Sequence, residues 1–282
     1  MRNPGTHMGV SENGRFAGSL SGGCIENAVV AEARAAIQEG KSRMVRFGAG
    51  SPYLDIKLPC GGGLDLHFQP LQDPDLVQAS CAAISDRKPF AIEIDPEGAR
   101  FVAGWQPSSF DLAKQSGVFG HWPRSRLLIV GHGAGVEALA SLAQSMDCEV
   151  SVLTPDERIE SALRSKSIPA ERLVRTTDTA LLSSDPWTAI VFLFHDHDWE
   201  IALMKRALAL PHFYIGAMGG RKAHAARCDT LAAMGVEQGK IATIHAPIGL
   251  FHSSRDPQTL ALSALGEIIV KYQRAQFSDA DG

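Results

Sequence analysis

Arg126-Leu127-Leu128-Ile129-Val130-Gly131-His132-Gly133-Ala134-Gly135-Val136 decides the fold. After its leading arginine the run is apolar with no polar alternation, which describes a strand buried on both faces. Glycines then turn the chain, and from Val136 the apolar spacing becomes helical. A strand, a glycine turn and a helix in that order form the setting that a dinucleotide fingerprint requires. Two departures weaken the NAD reading. Val136 fills the third glycine position, and Thr154 stands where an NAD enzyme presents Asp or Glu to the ribose, with Asp156 two residues on. The turn reads as a nucleotide-like pocket with weak NAD preference that leaves NADP open.

Strand and helix alternate from there to the end of the chain. Strands are expected over 149–153, 172–175, 188–194, 212–218 and 240–245, with helices over 136–146, 156–165, 199–209, 221–234 and 258–276. This is the pattern of a Rossmann-like, doubly wound parallel sheet over 124–282. Ligands bind such sheets beyond the carboxyl ends of the strands, and three motifs fall there. His195-Asp196-His197-Asp198 offers proton transfer, metal ligation or helix capping. Tyr214-Ile215-Gly216-Ala217-Met218-Gly219-Gly220-Arg221-Lys222 brings two cations to a helix start, where an anion would relieve them. Pro247-Ile248-Gly249-Leu250 closes the last strand.

The first part of the chain has another texture and reads as an α+β domain over 1–105. Glu12-Asn13-Gly14 is a hairpin turn. Gly18-Ser19-Leu20-Ser21-Gly22-Gly23-Cys24-Ile25-Glu26 is a glycine-serine loop that opens a helix over 24–39, stopped at Gly40. Its amides and the helix dipole favour an anion and lower a thiol pKa. A tight turn with Cys24 as a small buried filler is the plainer alternative. A strand over 42–47 follows. The loop Leu58-Pro59-Cys60-Gly61-Gly62-Gly63 then bridges two alternating strands, 55–58 and 64–68. A helix over 75–85 and a hairpin, 90–94 to 100–103, complete the domain. The polar stretch 106–123 reads as a linker.

With 282 residues, 45% hydrophobic and 21% charged, the chain has material for two cores. A net charge of −4 gives no electrostatic footprint for nucleic acid or an anionic membrane surface. No apolar run reaches the roughly 20 residues of a membrane helix. Five widely spaced cysteines without a C-x-x-C pair or a secretion signal fit reduced thiols in a cytoplasm.

Taken together, the stretch from Gly18 to Glu26, Pro59-Cys60-Gly61-Gly62, the turn at Gly131, Tyr214 to Arg221 and Pro247-Ile248-Gly249-Leu250 resemble the XdhC/CoxI family. Its members are maturation factors for xanthine dehydrogenase and related molybdenum hydroxylases. The resemblance implies a non-catalytic chaperone that binds molybdenum cofactor, supports its sulfuration and inserts it into an apo-hydroxylase. A cysteine desulfurase is then a second partner. It implies cofactor contacts at Cys24 and Cys60, which match the family's motif positions; the glycine loops and strand-end motifs read above add Ser21, Gly22, Gly23, Glu26, Gly61, Gly62, Gly131, Gly133, His195, Asp196, Gly216, Gly219 and Arg221 as candidate contacts. Cys24 and Cys60 are the thiols that would meet molybdenum. The rival reading, from the Gly131 turn and the two histidines, is an NAD(P)-dependent oxidoreductase. By this resemblance the chain starts inside the family's first domain, which leaves strand edges for a second copy to cover in a homodimer.

Overall fold

The computed structural model describes residues 6–18, 20, 25–51, 53, 61–195, 197–251 and 256–278. The chain divides into two compact units, Met1–Pro123 and Arg124–Gly282.

In the first unit β1 (Gly9–Val10) and β2 (Phe16–Ala17) form the hairpin that Asn13-Gly14 dictates. Helix α1 (Glu26–Glu39) buries Val29, Ala33 and Ala36 on one face, and Gly40 ends it in the left-handed conformation at φ 64°. That face packs with Leu20, Ile25, Phe47 and Phe68. Strand β3 (Arg43–Gly48) pairs antiparallel with β4 (Gly63–Phe68), from Arg43 opposite Phe68 to Gly48 opposite Gly63. So β4 finds its partner upstream, and the strand expected over 55–58 lies outside the described residues. Helix α2 (Pro74–Ser85) starts with Pro74 in its first turn behind the Asp73 cap, whose carboxylate accepts from the Asp75 amide at 2.8 Å.

The stretch 106–123, expected as a linker, carries two strands. Strands β5 (Phe90–Asp95), β6 (Gly98–Ala103), β7 (Ser109–Asp111) and β8 (Ser116–His121) form one antiparallel sheet in the order β6-β5-β8-β7. The glycines that suggest a linker are strand positions without room for a side chain. A Cβ on Gly117 would lie 2.6 Å from the Ser109 carbonyl, and one on Gly120 2.0 Å from the Gln106 carbonyl.

The second unit is a six-stranded parallel sheet ordered β11-β10-β9-β12-β13-β14. In sequence it runs β9 (Arg126–Gly131), α3 (Ala134–Ser145), β10 (Glu149–Thr154), α4 (Glu157–Ser165), β11 (Ala170–Arg172), β12 (Thr188–Leu193), α5 (His197–Ala207), β13 (Tyr214–Ala217), α6 (Arg221–Ala233), α7 (Gln238–Ile241), β14 (Ile244–His245) and α8 (Pro257–Ser278). Alternate residues of the central strands supply two cores. Leu127, Ile129 and Val191 pack with α3, α4 and α8, whereas Leu128, Val130, Ile190 and Phe192 pack with α5 and α6. This two-sided burial is why β9 and β12 read as unbroken apolar runs. The chain winds outward from β9 to β11 and returns at β12, so the strand order reverses between β9 and β12. That switch point opens a crevice beyond the carboxyl ends of the strands.

Candidate functional site

In the first unit, Ser21, Gly22, Gly23, Cys24 and Cys60 lie outside the described residues, as does Asp196 in the second. What the structure does define is the framing of those loops. Leu20 and Ile25, on either side of 21–24, are both buried in the α1 core. Glu26, the first residue of α1, is buried, and its carboxylate accepts from the Ile25 amide at 3.0 Å, so the acid sits at the positive end of the helix.

The described residues that flank the second loop are laced together. Arg46 pairs with Asp65 through one nitrogen at 2.8 and 3.0 Å and donates from Nε to the Ala49 carbonyl at 2.8 Å. The Gly62 carbonyl accepts from the Ala49 amide at 3.0 Å. Tyr53 stacks on Phe47 at 5.4 Å and donates a short hydrogen bond to Glu32 of α1. Gly61 stands exposed at φ 69° with open space where a Cβ would be, which leaves its backbone approachable.

In the second unit the glycines separate into two kinds. A Cβ on Gly131 would lie 2.4 Å from the Leu193 carbonyl, and one on Gly216 2.6 Å from the Tyr214 ring and 2.7 Å from Ile248. The structure gives both a packing reason. Gly133 caps α3 at φ 88° with nothing within 4 Å of a Cβ, so there the helix start is open to a ligand. Gly219, at φ 121°, turns the chain into α6, whose first residue, Arg221, is exposed.

A cavity of about 390 Å³ lies at the β9 and β10 strand ends, lined by His132, Pro155, Asp156, Glu157, Arg158 and Trp199. Buried Phe194 packs against two of these lining residues. The Phe194 ring lies 5.5 Å from His132 and is stacked 6.5 Å from Trp199. His195 is exposed and its ring meets His132 edge-on at 6.0 Å. Thr154 is fully buried and accepts from the Asp156 amide at 3.2 Å, which turns the chain so that Asp156 caps α4. The Arg158 amide first, and then its guanidinium, hold the Asp156 carboxyl below its ordinary range, though its partial desolvation opposes them. Among the described residues no three His, Cys, Asp or Glu side chains gather into a metal site. No helix among them is long and apolar enough to cross a membrane.

Sequence reasoning missed two networks at this edge. Arg227 of α6 donates to Glu200 of α5 at 3.1 Å and to the Met218 carbonyl at 2.8 Å. Glu267 of α8 accepts from Tyr214 at 2.8 Å and from the Gly249 amide at 2.7 Å, and lies 3.3 Å from His245. The only hint was a lone charge at a core-facing helical spacing in each case.

A family profile described as the XdhC Rossmann domain matches residues 127–268, and one described as the XdhC and CoxI family matches residues 1–48. The molybdenum cofactor insertion chaperone PaoD of Escherichia coli (strain K12) is 32% identical over 271 residues, 94% of this chain and 77% of that protein. A crystal structure of a xanthine dehydrogenase from Bacillus halodurans matches with a TM-score of 0.69 over 95% of this chain and 86% of that one. At 18% identity, that likeness is one of fold alone.

Proposed function

The chain belongs to the XdhC and CoxI family, and from that premise we propose that it is an accessory factor that carries molybdenum cofactor as cargo. In this reading it supports replacement of a molybdenum oxo ligand by sulfido, with sulfur from a cysteine desulfurase, and delivers the cofactor to an apo-hydroxylase of the xanthine dehydrogenase type. The observation that carries the reading is the 32% identity to an insertion chaperone across 94% of this chain.

The chain's own groups have plain roles in such handling. Cys24 and Cys60 supply soft thiolates suited to the metal end of the cargo. Amides of Ser21, Gly22, Gly23, Gly61 and Gly62 supply donors for its phosphate. Glu26, buried and bonded to the Ile25 amide, fixes the point where the first loop enters α1. In the second unit, Gly133, Gly219, Arg221 and His195 line the sheet edge where an anionic ligand is held, with Asp196 next to His195 in sequence, while Gly131 and Gly216 let the strands beneath pack closely.

Molybdenum and pterin content, measured on protein purified from cells that make the cofactor, tests the reading. Cofactor is expected with the wild type, and Cys24→Ala and Cys60→Ala should each retain about tenfold less. Equal retention by both variants would refute the thiol roles. A wild type that never carries cofactor would refute the proposal itself.

A further inference from the structure

The first unit holds a pair of histidines that the proposed cofactor handling does not use. His121 ends β8 opposite Phe90 of β5, and Phe119 lies two residues back on the same strand, so the three side chains share one sheet face. Phe90 stacks on the His121 ring at 4.6 Å, with the planes 7° apart. His7, two residues before β1, meets Phe119 edge-on at 5.2 Å. Its backbone is held as well, since a Cβ on Gly18, just after β2, would lie 2.7 Å from the His7 carbonyl.

These contacts bring Nε2 of His7 to 3.0 Å from Nε2 of His121. The ring centres are 4.8 Å apart and the planes tilted by 34°, so the rings are not set end to end along the straight N–H···N line that a strong hydrogen bond prefers. Of the two facing nitrogens, one carries a proton and the other offers its lone pair. The same spacing suits a metal ion. Two imidazoles side by side on one ion at about 2.0–2.1 Å keep their nitrogens about 2.8–3.4 Å apart, from square-planar to tetrahedral angles. His7 is exposed and His121 half-buried, so water reaches the pair to fill the remaining positions.

The donor set names the class of ion. No third His, Cys, Asp or Glu among the described residues joins the pair, so the rings bring no negative charge. Mg(II) and Ca(II) want oxygen ligands and are turned away, whereas Ni(II), Cu(II) and Zn(II) bind imidazole strongly. We propose that His7 and His121 together bind one such borderline divalent ion, with water completing its shell. The ion takes a lone pair from each Nε2, and the proton between the rings moves to Nδ1 of the ring that carried it. It fastens the segment before β1 to β8 and braces Gly18, where the glycine-serine loop begins. The site stands whether or not the chain carries molybdenum cofactor.

Calorimetric titration of the full-length, molybdenum-free protein with Zn(II), Ni(II) and, as a control, Mg(II) tests it. We expect a micromolar site for Zn(II) and Ni(II) and none for Mg(II). His7→Ala and His121→Phe should each weaken that site at least about tenfold, since even a group that only orients a metal ligand is worth that much. Both variants keep every cysteine, so any uptake by thiols persists in them and is told apart. His7 is exposed, so replacing it leaves the fold intact. His7→Cys puts a different metal donor at the same place and should restore Zn(II) binding, as a repaired packing contact would not. Equal uptake by wild type and both histidine variants, no uptake below millimolar concentration, or His7→Cys binding no better than His7→Ala would overturn the proposal.

Discussion

Arg227 Nη2 lies 3.0 Å from Glu200 Oε1, with neither side chain exposed at all. The pair joins α6 to α5, and the same nitrogen donates to the Met218 carbonyl, so it also holds the loop that carries Gly219 and Gly220. Removing one partner leaves a lone buried charge, at a cost of about 3–5 kcal/mol. Arg227→Met and Glu200→Met should each lose stability on that scale in urea unfolding. The double variant should recover most of the loss, because an apolar pair of similar volume strands no charge.

Gly131 and Gly98 make a second, paired prediction. Alanine at Gly131 would set its Cβ 2.4 Å from the Leu193 carbonyl, part of a central strand that cannot yield, whereas Gly98 has nothing within 4 Å. Thermal melts should show Gly131→Ala destabilised by about 1–3 kcal/mol and Gly98→Ala within about 0.5 kcal/mol of wild type. Equal melting of the two would contradict the packing role given to Gly131.

The two units should fail in different acid windows. Burial first, and then His7 with its Nε2 3.0 Å away, press the His121 pKa down to about 4. The unfolded chain binds that proton from the ordinary 6.5 downward while the folded one resists, so the first unit loses stability as pH falls from about 6.5 to 4. Burial of Glu267 would raise its pKa. Hydrogen bonds from His245, the Gly249 amide and Tyr214 outweigh it and hold the value at about 2. Here the stabilisation is complete above the ordinary 4.5 and is lost toward pH 2. Hydrogen-exchange protection of β5 and β8 should therefore decline before that of β13 and α8. His121→Phe should remove the earlier window and Glu267→Gln the later one.

The second unit was largely legible in the sequence because its signals are local. Leu127 to Val130 had to be buried on both faces, and Gly133 had to break before a helix. In the first unit, Gly117 and Gly120 suggested a linker because glycine interrupts alternation, yet they face carbonyls of Ser109 and Gln106 that arrive from elsewhere in the chain. Asp156 and Arg158 were visible as residues, but not that Thr154 turns the chain to bring them to the cavity wall. The pairing of Arg227 with Glu200 spans two helices, and nothing in either segment alone names the partner.

Cofactor transfer tests the central claim most directly. An apo-molybdenum hydroxylase is mixed with sulfurated cofactor, with and without this protein, and its substrate turnover is followed. Activity should appear faster and to a higher final level with the wild type, and Cys24→Ala should lower both. Activation of the apoenzyme at the same rate and extent without the protein would contradict it.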